Sequence, residues 1–300
     1  ARVYDVRQTV SPPRLLLDPG WAVGGPAGQG TRPPQRMAPW LPHSPPLGPG
    51  GPPGQVPAPN PGRGASAASP SPWKFEPLRG TELVQEFEVL TTSTSALFAA
   101  SYPVLVQLGP PKGPVDVAKA YGVKTDLYGS LQTSSVMEPG QTYKVISKIP
   151  DFTPAQLRKA GTGPLDPSFR RQYVEQVGIE VASELKPIVD RITAGAQTNY
   201  DRAMAIKRYL EKLCLYTTHI PRTPSNTDPV VYFVKTSRRG ACDLFASAMA
   251  LMCRLAGVPA RVATGYNTGE YDPEQRAFVV RGLHAHAWAE LYFQGVGWVP

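Results

Sequence analysis

Between Trp73 and Ile149 apolar side chains recur at every second position. Phe87 and Val89 alternate with Glu86 and Glu88, and Tyr143, Val145 and Ile149 alternate with Lys144 and Lys148. A period of two puts successive residues on opposite faces of an extended chain, so these runs predict strands with one buried face. Turn signals separate them at Gly109-Pro110-Pro111, Tyr128-Gly129-Ser130 and Glu138-Pro139-Gly140. The segment reads as a small antiparallel β-domain without a catalytic constellation. After Asp151 the period lengthens to that of a helix. One or two helices are expected from about Asp166 to Thr193, interrupted near Pro187, which lacks the N–H a helix interior needs. Another opens near Asn199 and carries Ala203, Ile206, Leu210 and Leu213 on one face. Asp228-Pro229 reads as an N-cap followed by proline at the first helical position, starting a short helix through Phe233.

The last helix of the pattern follows Gly240-Ala241-Cys242-Asp243-Leu244. Phe245, Met249, Met252 and Leu255 lie on one face, and Gly257 and Pro259 supply the stop. Strand signals come next over Ala260 to Tyr266, Arg276 to Arg281 and His286 to Tyr292, which predicts a helix packed on an antiparallel sheet. The N-terminal part has no such periodicity. Residues 11–72 hold 18 of the 35 prolines and 11 of the 28 glycines, with few large apolar side chains to offset the entropy of ordering. They are expected to form a disordered linker rather than a Pro-rich recognition segment. Three parts result: a disordered Pro/Gly-rich segment over 1–72, a small β-rich domain over 73–150, and an α+β domain over 151–300.

Charge and cysteine content narrow the function classes. The formal charge is +8, but residues 1–72 carry six arginines against two aspartates, and the remaining +4 is spread over 228 residues. No basic cluster with interleaved aromatics is present, which excludes the usual nucleic-acid footprint. No apolar run reaches the roughly 18 residues that a membrane span requires. Three cysteines make no disulfide scaffold, and the odd number leaves at least one thiol free or paired to another chain. The chain opens on Ala1 without a signal-peptide pattern, and is expected to be a fragment or a processed chain.

The candidate chemistry lies in residues 237–300. Cys242 falls at or near the first turn of a buried helix, where unsatisfied N–H groups and the macrodipole favour a thiolate, with Arg238 and Arg239 just upstream acting in the same sense. Cys214 and Cys253 fall inside predicted apolar helices, where a thiol is a small hydrophobe. His286, Trp288 and Glu290 share one face of a predicted strand. A cysteine at a helix N-terminus facing an imidazole from a sheet is what nucleophilic thiol catalysis requires. The competing reading is a metal site, with His284 and His286 as an H-x-H pair and Cys242 as a third ligand, but no further cysteine or carboxylate has ligand spacing. Neither a metal nor a cofactor is expected. A non-catalytic binding module on the same fold is the other alternative.

Residues 240–298 resemble the transglutaminase-like domain of papain-type cysteine enzymes. The resemblance rests on Gly240-Ala241-Cys242 with Phe245-Ala246-Ser247-Ala248, on Ala256-Gly257-Val258-Pro259-Ala260-Arg261 with Gly265-Tyr266, and on His284-Ala285-His286-Ala287-Trp288-Ala289-Glu290 with Gly297-Trp298. Similarity over 166–233 extends it toward a bacterial membrane-anchored branch with a β-rich segment before the catalytic domain. It implies a transglutaminase-like/papain-like α+β fold, with Cys242 as acyl-accepting nucleophile and His286 as general base. It also implies a protein or peptide substrate giving up a glutamine or other amide to an amine or water, and peptidase or amidase chemistry is the alternative. The implied location is the extracytoplasmic face of the bacterial inner membrane, with a tether that this chain lacks. The family's acidic triad member follows the Gly-Trp strand, so it is expected beyond Pro300, in a chain truncated just short of it. Glu290 is no substitute, because four residues along a strand is roughly 13 Å. The Cys242 N–H and Tyr216 are the expected oxyanion donors, and Trp288 and Tyr266 are expected to wall the acyl groove or to be core.

Overall fold

The computed structural model describes residues 6–10, 80–91, 94–109, 123–125 and 130–300. The Pro/Gly-rich segment, apart from residues 6–10, and the two turn signals around Pro110 and Gly129 lie outside the described residues. The β-rich part contains β1 (Val6–Val10), β2 (Gly80–Val89), β3 (Thr94–Leu97), β4 (Pro103–Leu108), β5 (Val123–Thr125), β6 (Leu131–Met137) and β7 (Thr142–Pro150). Helices follow: α1 (Pro154–Arg158), α2 (Pro167–Arg170) running into a π turn, α3 (Ile179–Thr193) and α4 (Asn199–Leu213). Then come β8 (Leu215–Tyr216), α5 (Pro229–Tyr232), β9 (Arg239–Gly240) and α6 (Cys242–Leu255). The chain closes with β10 (Ala260–Tyr266), β11 (Glu270–Asp272), β12 (Ala277–Val280), β13 (Ala285–Phe293) and β14 (Gly297–Val299).

The period-two runs form strands because alternate apolar side chains have a core to enter. On β2 the buried residues are Leu83, Gln85, Phe87 and Val89, and on β7 they include Tyr143 and Val145. The two strands pair antiparallel, and Phe87 stacks on its register partner Tyr143 with ring centroids 4.7 Å apart. β4 extends this sheet from the other edge of β7.

Three helices of the 151–300 part start where a capping side chain satisfies free N–H groups. Asp166 accepts from Ser168 and Phe169 at the head of α2, Thr198 from Asp201 on α4, and Asp228 from Val230 and Val231 on α5. α6 ends in a Schellman turn: Gly257, at φ +80°, allows Val258 N–H to reach Cys253 O at 2.9 Å and Gly257 N–H to reach Arg254 O at 2.9 Å. The expected break at Pro187 does not occur. Pro187 sits inside α3 on its exposed side, where water can satisfy the carbonyl that loses its donor, and the helical run is broken instead at residues 176–178.

α6 is the centre of this part, packing on α3, α4, α5, β10 and β13. Leu185, Ile206, Phe233 and Met252 are buried around it, each contributing on the order of 1.5–3 kcal/mol. β10, β13 and β14 form one antiparallel sheet beneath the helix. The strand predicted over 276–281 belongs elsewhere. As β12 it pairs with β11 and with β1, and so joins the sheet that carries β2, β7 and β4.

Candidate active site

Cys242 is the first residue of α6. Its N-cap, Ala241, has no side chain able to accept, and the first helical bond runs from Phe245 N–H to Ala241 O at 3.1 Å. The N–H groups before Phe245 therefore have no acceptor within the helix. β8 pairs parallel with β9 directly upstream, Tyr216 opposite Gly240, and this delivers the Tyr216 side chain to Cys242. Its hydroxyl lies within hydrogen-bonding reach of both the thiol and the backbone N–H of Cys242. Burial, then the neighbouring Cys242, holds the Tyr216 phenol above its ordinary pKa, so it stays protonated.

The two other thiols sit in inert surroundings. Cys253 is fully buried and its pKa is pushed well up by desolvation alone. Cys214 is not inside a helix as its neighbours in sequence suggest; it is the extended C-cap of α4, half-buried, and burial pushes it up to about 11 against the pull of Arg238.

His286 stands near the start of β13, opposite Gly265 in the register of β10. Chain geometry puts it at the Cys242 end of the sheet. α6 has 14 residues, about 20 Å at the helical rise. β10 begins just past the end of α6, where Arg254 Nε donates to Ala260 O at 2.8 Å. It runs back for seven residues, again about 20 Å. Gly265 and His286 thus return to the level of the first turn. Ala289, Leu291 and Phe293 carry the face of β13 in the helix core, and His286 projects on the alternate face with Trp288 and Glu290. Tyr216 is the side chain placed beside the thiol in this structure. Partial burial, the one influence resolved on His286, holds its pKa below the ordinary value and keeps the ring neutral at pH 7.

Trp288 lies beside His286 with its ring nearly parallel, centroids 6.5 Å apart and planes 20° apart. It crosses the strand over Gly265, where a Cβ would meet its Cη2 at 3.0 Å. Tyr266 packs edge-on against Phe98 of the β-rich part at 5.1 Å, so it is a packing residue. Glu290 is buried and accepts from Arg261 Nε at 2.7 Å. His284 is separate from His286: it closes a 3₁₀ turn, and its Nδ1 accepts the N–H of Arg281 at 2.9 Å. Among the described residues no group of three His, Cys, Asp or Glu is placed to hold a metal ion. β14 ends with Val299 opposite Leu291, so its pairing stops well short of His286.

Sequence reasoning did not find Gly265, Phe98 or Tyr102 as neighbours of this site. The period-two pattern marks which face of a strand is buried and says nothing of what covers it.

A thiol-bearing helix on an antiparallel sheet that carries a histidine defines the papain-like class of cysteine-enzyme folds. Residues 186–300 match the model of the transglutaminase-like superfamily. The structure aligns with the periplasmic domain of TgpA from Pseudomonas aeruginosa, determined bound to ethylmercury, with a TM-score of 0.57 and 26% identity over 74% of this chain and 72% of that one. In sequence the chain is 31% identical over 188 residues to a protein-glutamine gamma-glutamyltransferase of Pseudomonas aeruginosa, covering 62% of this chain and 26% of that protein. It is 27% identical over 206 residues to the uncharacterized protein YebA of Bacillus subtilis, covering 66% of this chain and 28% of that protein. The chain thus spans about a quarter of the length of these two relatives. No helix among the described residues is long and apolar enough to cross a membrane.

Proposed function

We propose that the protein is a cysteine acyltransferase of the transglutaminase type, with Cys242 as nucleophile and His286 as general base. The observation that carries this reading is the position of Cys242. It opens the central helix with its first-turn N–H groups unpaired within the helix and a neutral imidazole at the same end of the underlying sheet. His286 takes the Sγ proton, directly or through one water, since thiol–imidazole contacts in unliganded enzymes are commonly long. Sγ then bonds to the carbonyl carbon of a glutamine side chain. The C–N bond breaks, the proton passes from the imidazolium to the departing nitrogen, and ammonia leaves a thioester. A primary amine attacks the thioester to give the transamidated product and return the thiol, whereas water in its place gives deamidation. The Cys242 N–H and the Tyr216 hydroxyl, which face one another in the free protein, are the two donors on hand for the oxyanion. The acidic partner of His286 is assigned to residues that follow β14. Likeness to a periplasmic domain supports an extracytoplasmic location, and the membrane tether is assigned to parts of the protein outside this sequence.

A second reading, hydrolysis of a peptide bond, uses the same thioester with an α-amino group leaving. Mass spectrometry of a glutamine peptide incubated with the protein extended past Pro300, with and without a primary amine, separates the outcomes. Amine incorporation that disappears in Cys242→Ala is expected. Backbone cleavage in its place assigns a peptidase, and turnover unaffected by Cys242→Ala overturns the proposal.

A further inference from the structure

The side chains around His286 form one connected set that reaches the β-rich part. Tyr102 Oη, beyond β3, donates to the Trp298 carbonyl on β14 at 2.6 Å. The Trp298 ring carries the Arg261 guanidinium 4.3 Å above its centre. Arg261 Nε donates to Glu290 Oε2 at 2.7 Å, and the other carboxylate oxygen of Glu290 lies 3.4 Å from Trp288 Nε1. Trp288 ends the set against His286.

Two features make this more than a packed surface. The Glu290 side chain is 9% exposed, and a carboxylate that deep is retained at a desolvation cost that a hydrophobic residue would avoid. The indole is also fixed along its whole length. Glu290 accepts from its Nε1 edge, and its far edge lies across Gly265, where a Cβ would stand 3.0 Å from Cη2. The indole so placed lies nearly parallel to the imidazole beside it.

We propose that Glu290 is a positioning residue for His286, acting through Trp288, and that Tyr102 ties the β-rich part into the same set. The inference rests on the reading of His286 as the base for Cys242. Its effect is orientational: the carboxylate fixes the indole, and the indole fixes the ring that must meet the thiol. A misplaced base slows proton transfer steeply even when its pKa is unchanged.

The three cysteines allow the test within this chain. Alkylation by iodoacetamide at neutral pH is followed at each thiol by peptide mass spectrometry. His286→Ala sets the effect of losing the base, and fully buried Cys253 reports loosening of the fold. Glu290→Gln removes the charge, and Trp288→Phe keeps a ring while removing the Nε1 donor. Each is expected to slow Cys242 by about tenfold, with Cys253 still protected and the His286 ring-proton resonances displaced in NMR spectra. The double variant is expected to be no slower than the slower single one, because both act through one contact. If His286→Ala slows Cys242 while Glu290→Gln and Trp288→Phe leave its rate and the His286 resonances in place, the positioning role is overturned and the acyltransfer reading stands. Slowing that appears only together with Cys253 alkylation also overturns it, by assigning Glu290 to stability alone. If His286→Ala has no effect, the base assignment falls first and this inference falls with it.

Discussion

In its proposed role as base, His286 would act only while its ring is neutral, and desolvation in the half-buried start of β13 favours that form. The sign follows directly. A histidine ordinarily titrates near 6.5, burial lowers that value here, and protonation removes the lone pair that accepts the thiol proton. The rate of Cys242 alkylation is therefore expected to hold as pH falls through 6.5 and to drop on an acid limb below it. In His286→Ala that limb should vanish. A limb centred above 6.5 contradicts the assignment, since it requires a stabilised imidazolium. Tyr216 responds differently: its phenol is pushed upward and stays protonated throughout this range.

Helices reveal their ends locally, and strands do not reveal their neighbours. Asp228 caps α5 through Val230 and Val231, at 2.8 and 3.2 Å, and its own N–H donates to Glu180 Oε1 of α3 at 3.0 Å. Asp228→Ala removes the cap, so urea unfolding is expected to show a loss of about 1–2 kcal/mol. That cap, the apolar face of α4 and the glycine stop of α6 are legible in the sequence because each depends on residues within one or two turns. The Pro187 break is misjudged because proline is tolerated where the freed carbonyl faces water, and exposure is a tertiary property. The pairing of β12 is illegible for a different reason. Alternation specifies a buried face, and Ala277, Val279 and Val280 are equally at home beside β10 or beside β1. At the site, Cys242 and His286 stand out by chemistry and motif. Gly265, Trp288 and Glu290 acquire their roles only once β10 and β13 are in register.

Among the described residues the β-rich part and the 151–300 part are joined by a shared sheet and by the contacts of Tyr102. Tyr102 donates to Trp298 O at 2.6 Å, and Gly297 leaves room for that hydroxyl, where a Cβ would stand 2.6 Å from it. Tyr102→Phe keeps the ring and removes the donor, so thermal unfolding is expected to show a loss of about 1–3 kcal/mol, the upper end applying if the Trp298 carbonyl finds no other partner. An unchanged midpoint would mean that water replaces the hydroxyl. The pairing of Val6 with both Val89 and Val280 bears on how the chain finds its shape. The strand nearest the N-terminus is the bridge between β2 and a hairpin that lies almost at the opposite end of the sequence. Roughly 270 residues separate that bridge from its second partner, and closing so long a loop is entropically costly and slow. The helical core around α6 is built from contacts much closer in sequence, so it can form first. The sheet linking the two parts is then the last piece assembled, and until it closes β12 presents a bare edge to other chains.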